Sequence, residues 1–170
     1  MANMIPISTV TVGSGGASSI DFNSIPQTYT DLVIKLSLRS TRTAFPQDDL
    51  YYKYNGSSTS NSGIQIRGSG SAVISTSGWI TYNYGGQVDS NSATSNTFGN
   101  AEIYIPNYTS ANNKSSSVDG VQENNQAEAY TNLLANLWSN TSPITSIALT
   151  LGAGNFVQYS SATLYGIRKY

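Results

Sequence analysis

The chain has 170 residues, a net charge of −1, no cysteine and no histidine. Disulfide frameworks, thiolate metal sites, cysteine nucleophiles and serine–histidine triads are therefore excluded. Charged residues make up 10% of the chain, against about 25% in an ordinary soluble domain, so the basic footprint that nucleic acid or an anionic membrane requires is missing.

Polarity comes instead from 27 Ser, 17 Thr and 17 Asn, and the 12 Tyr supply most of the aromatic content. Abundant aromatic and β-branched residues separate this chain from disordered polar sequences. Its length fits one domain over residues 1–170. The opening MANMIPISTVTV lacks the basic and continuous apolar regions of a secretory signal.

In chain order, Ile5, Ile7, Val10 and Val12 come first and are followed by Gly13-Ser14-Gly15-Gly16, a hinge composition. Residues 1–16 read as a first strand and loop, or as a flexible arm with Ile5, Ile7 and Val10 as its contacts; the strand is the simpler reading. Asp31 to Arg39 alternates, with Leu32, Ile34, Leu36 and Leu38 on one face and Asp31, Lys35, Ser37 and Arg39 on the other with Val33, which predicts a half-buried strand. Leu50 to Tyr54 is an aromatic strand closed by Asn55-Gly56, a pair suited to the positive φ of a tight turn.

Ile64 and Ile66 alternate between glycines, and Trp79 to Tyr84 reads as a strand ended by Gly85-Gly86. Ile103 and Ile105 precede Pro106, which marks a strand end. Residues 127–138 fit a helix and a two-faced apolar strand, and the strand-rich surroundings favour the strand. Ile144 to Leu151, Phe156 to Tyr159 and Thr163 to Ile167 complete the run of short strands. The pattern predicts an all-β chain, a single antiparallel β-sandwich of jelly-roll type.

Chemistry is sparse. Three G-x-G stretches lack the third glycine of a dinucleotide site, and no P-loop occurs. A glycosidase needs a carboxylate pair, but Asp48 and Asp49 are adjacent and would point to opposite faces of a strand. A calcium site at Asp48 or Asp49 lacks the usual loop spacing. No catalytic residue, metal ligand or cofactor is assigned. The better lead is aromatic: Tyr51, Tyr52, Trp79, Tyr82 and Tyr84 come from two segments that could be neighbours. With so much Ser, Asn and Gly they form a candidate interaction surface, for protein or for sugar rings. Core filling is the competing role for these rings.

The ordered landmarks matter together. They are Phe22-Asn-Ser-Ile-Pro-Gln-Thr-Tyr-Thr-Asp-Leu32, then Arg39, Asn55-Gly56, Ile105-Pro-Asn-Tyr108, Lys114, Trp138, Ile144-Thr-Ser-Ile147 and Ser161-Ala-Thr-Leu-Tyr-Gly-Ile167. In these pieces the chain resembles small virion structural proteins of tailed bacteriophages. The resemblance implies a non-enzymatic β-rich protein assembled in the host cytoplasm onto the particle, as head decoration or as part of a tail or fibre; it identifies no binding residue. Decoration of the capsid surface fits a single domain without heptads or long repeats. The expected partners are the major capsid protein and further copies of the chain, as a homotrimer or a dimer. A carbohydrate- or receptor-binding module is the alternative.

Overall fold

The computed structural model describes residues 3–168. These form two antiparallel sheets, with no helix among the described residues. The larger sheet has eight strands, in the order β1 (Asn3–Thr11), β12 (Ser161–Arg168), β3 (Asp31–Leu38), β8 (Gly99–Ile105), β9 (Lys114–Gln122), β10 (Tyr130–Trp138), β5 (Asn61–Gly68) and β6 (Val73–Gly78). The smaller has four, in the order β2 (Ser19–Phe22), β11 (Ile147–Leu151), β4 (Gln47–Tyr54) and β7 (Asn83–Asp89).

With β5, β6, β9 and β10 set aside, the remaining strands run first-eighth-third-sixth in one sheet and second-seventh-fourth-fifth in the other. That is the winding of a jelly roll. The other four strands are two hairpins inserted into the roll's connections, one between β4 and β7 and one between β8 and β11. Both extend the larger sheet past β8, so it overhangs the smaller one.

The core lies between the sheets and follows the alternation of the sequence. Leu32, Ile34, Leu36 and Leu38 point inward, opposite Ile105, Ile103, Ala101 and Gly99 of β8. Leu50, Tyr52 and Tyr54 of β4, Ile147 and Leu149 of β11, and Phe22 of β2 close the core from the other sheet. Asn55 and Gly56 both take positive φ after β4, as the tight turn requires, and β8 ends at Ile105 before Pro106.

Of the two readings of residues 1–16, the strand is the one that forms: β1 pairs along its length with β12 of the same chain, with Ile7 and Val10 packed partly against the core; the first two residues lie outside the described residues. Two expectations change. The strand expected over Trp79 to Tyr84 begins instead at Asn83 and continues through Gly85 and Gly86. A Cβ on Gly85 would come within 2.7 Å of the Leu50 side chain, and Gly86 has φ +85°, so these glycines allow close packing and a bulge rather than ending the strand. Phe156 to Tyr159 is no strand; Phe156 makes only isolated bridges to Ala17 and Ser40.

Candidate functional site

The aromatic residues singled out in the sequence do come together, at the seam between the roll and the inserted hairpins. Trp79 stacks on Tyr84 with ring centroids 4.6 Å apart and planes 11° from parallel. Tyr82 lies on Tyr51 at 3.9 Å, and Tyr51 is 5.9 Å from Tyr84. Only part of the group is a surface. Tyr52 and Tyr84 are buried, which corrects their place in the expected interaction surface. Alternation turns Tyr52 inward with Leu50 and Tyr54, and Trp79 covers Tyr84. Tyr51, Trp79 and Tyr82 are half-buried.

The phenols are held as neutral donors. Tyr84 Oη donates to Asp49 Oδ1 at 2.6 Å, and Gln87 Nε2 donates to the Tyr84 oxygen. Tyr52 Oη shares a hydrogen bond with Ser116 Oγ at 2.8 Å. Burial pushes the Tyr52 and Tyr84 phenols well above the ordinary tyrosine range, with the Asp49 charge raising Tyr84 further. Tyr51 moves the same way, through burial and then its hydrogen bond with Tyr82. None of these phenols supplies a phenolate base near neutral pH.

The carboxylates serve the loops. Asp48 is buried and accepts from Ser40 Oγ at 2.6 Å, from the Ala153 and Gly154 amides, and from its neighbour's N–H at 2.9 Å. Donors aimed at both oxygens oppose a cation there. Asp89 is buried, accepts from Gln122 Nε2 at 2.8 Å, and is pushed upward in pKa by that burial. Among the described residues no three acidic side chains gather as a metal site would require.

What the sequence reading missed lies on the opposite side of the larger sheet. On the inserted strands the inward side mixes amides with apolar residues: Asn61 and Gln65 of β5, Asn132 and Asn136 of β10 are all buried, beside Leu134 and Trp138 of β10. Gln65 Nε2 donates to Asn132 Oδ1 at 2.6 Å. Asn136 Nδ2 donates to Tyr84 O at 3.0 Å and Tyr52 Oη at 3.1 Å, and its Oδ1 accepts the Tyr84 N–H at 3.1 Å. Outward positions of β5 and β10 include Ile64, Ile66, Leu133 and Ala135.

Cross-strand register aligns this outer face in rows. Ser77, Ile64, Ala135 and Ser117 form one, and Ser75, Ile66, Leu133 and Asp119 the next. Ile64, Ile66, Val73, Ile80 and Leu133 are each more than half exposed. A shallow groove of about 570 Å³ runs between Ile64, Ile80, Ala135 and Leu137, with serines along its sides. A cluster of exposed aliphatic side chains on one face, rather than single scattered ones, marks an interaction surface. No charged group enters it before Asp119. One signal was available: β10 has apolar residues on both faces, which a strand with one wet face does not need.

No protein-family model, curated protein or solved structure matches the chain. The topology defines its class, an antiparallel jelly-roll β-sandwich with two inserted hairpins.

Proposed function

We propose that the protein is a non-enzymatic structural component of a bacteriophage virion, a decoration or cement protein that lies on the capsid surface and bridges major capsid protein subunits. The observation that carries this reading is the uncharged aliphatic outer face of β10, β5 and β6. Such a face meets other protein at no cost of desolvating charge. It belongs to hairpins added to a complete roll, so it is not needed to close the core. The resemblance in the sequence landmarks supplies the virion setting. The mechanism is mechanical: each copy adds buried area across a junction of shell subunits and so resists their separation.

Quantitative mass spectrometry of purified particles tests this directly. Hundreds of copies, at a fixed ratio to the major capsid protein, are expected. A few to a few tens would move the protein to the tail or fibres, and absence from the particle would overturn the reading. Leu133→Lys, on the exposed face, is expected to abolish attachment while leaving the melting of the free protein unchanged.

A second reading rests on the half-exposed Tyr51–Tyr82 pair beside the Asp49 carboxylate, since sugar rings stack on such faces and hydrogen-bond to such acids. It requires saturable glycan binding that Tyr82→Ala removes. An array with no signal eliminates it.

A further inference from the structure

Two sheets have four terminal strands, and three of these are closed to further pairing. β1 carries Pro6, which has no N–H to offer, and its register with β12 slips between Pro6 and Ser8. β2 is only four residues long and carries the exposed Asp21. β7 is buried along its whole length, packed against β8, β9 and β10.

β6 has none of these guards. Its sequence is Val-Ile-Ser-Thr-Ser-Gly, without charge or proline, and its register with β5 is unbroken. All six residues are exposed, because the smaller sheet does not extend beneath it. About 20 Å of strand edge therefore presents unpaired backbone donors and acceptors.

We propose that β6 pairs antiparallel with β6 of a second copy, joining two larger sheets into one across a twofold axis. Three features favour a second copy as the occupant. Antiparallel self-pairing about an axis normal to the sheet sets one residue opposite itself. At the middle of β6 that residue is Ser75 or Thr76, so hydroxyls meet at the axis. No like charges are brought together anywhere along the strand. The third feature is continuity. The same axis leaves both aliphatic outer faces on one side of the joined sheet. The pairing does not depend on what the joined face then binds.

An isologous contact of this kind closes at two copies. Sedimentation of the full chain across a wide concentration range is expected to show a monomer–dimer equilibrium. Ser75→Lys sets two ammonium groups at the axis or within one residue of it and is expected to weaken the dimer about tenfold or more. Ser8→Lys, on the guarded β1 edge, is expected to leave it unchanged. Hydrogen exchange gives an independent readout: β6 amides should become protected as concentration rises and lose that protection in Ser75→Lys. A monomer at every concentration, a trimer mass, or a dimer indifferent to Ser75→Lys overturns the proposal.

Discussion

The two halves of the larger sheet divide polar and apolar residues differently. In the jelly-roll half, β3 and β8 turn Leu32, Ile34, Ile103 and Ile105 inward, and the outward row runs Glu102, Lys35, Thr163 and Thr9. In the inserted half, β5 and β10 turn Gln65, Asn132 and Asn136 inward, and Ile64, Ile66 and Leu133 outward. One sheet thus has a dry core behind a wet face, then a mixed layer of amides and apolar side chains behind an apolar face. Strand formation asks only for alternation; the direction of burial is decided by what lies beneath. Under β3 and β8 that is the smaller sheet. Under β10 it is in part the backbone and phenols of β4 and β7, which Asn136 bonds, while Leu134 and Trp138 of the same strand join the core.

The largest test of this contrast is a pair of truncations. Ile103→Ala, in the roll, is expected to cost about 3 kcal/mol. Ile66→Ala, on the outer face, should stay within about 0.5 kcal/mol. Urea unfolding measures both, and equal costs would erase the distinction.

Asn136→Ala is the next step down. It strips the Tyr84 N–H and C=O of their buried partner and should cost about 2 kcal/mol. An unchanged midpoint would mean that the buried amides are not structural.

The seam also has a signature in alkali. An unfolded tyrosine loses its proton near pH 10, whereas burial holds the Tyr52 and Tyr84 phenols protonated to higher pH. The unfolded chain then binds fewer protons than the native one. Stability present below pH 10 is lost as pH rises beyond it, by about 1.4 kcal/mol per pH unit for each such tyrosine. Tyr52→Phe should remove one such contribution from the slope.

The smallest effect belongs to the wet face. The Lys35–Glu102 pair is half exposed, so Lys35→Gln should change stability by only a few tenths of a kcal/mol.

Much of the roll was legible in the residues. Asp31 to Arg39, Leu50 to Tyr54 with its Asn-Gly turn, and Ile103-x-Ile105-Pro each name a strand or its end by local chemistry alone. The segment over residues 127–138 was ambiguous because both faces carry leucine, and pairing with β5 and β9 makes it the strand Tyr130–Trp138. The strand β9, Lys-Ser-Ser-Ser-Val-Asp-Gly-Val-Gln, went unseen, since its inward side holds Lys114, Ser116 and Gln122. Their partners lie off the strand: Lys114 Nζ donates to Ser110 O in the preceding loop at 2.7 Å, and Ser116 Oγ meets Tyr52 of the other sheet. The candidate site was legible only in part. Aromatic content located the seam, but the docking face depends on which side of β5 and β10 is covered, and periodicity does not carry that information.

The pairing of β1 with β12 has a consequence for how the molecule is made. β1 is synthesised before every other described strand, and its one neighbour in the sheet is synthesised after all of them. Contacts so distant in sequence form slowly. On the ribosome β1 must wait, uncharged and strand-prone, while the rest of the roll emerges. Pro6 therefore guards this segment against premature pairing throughout that interval, as it guards the finished edge afterwards.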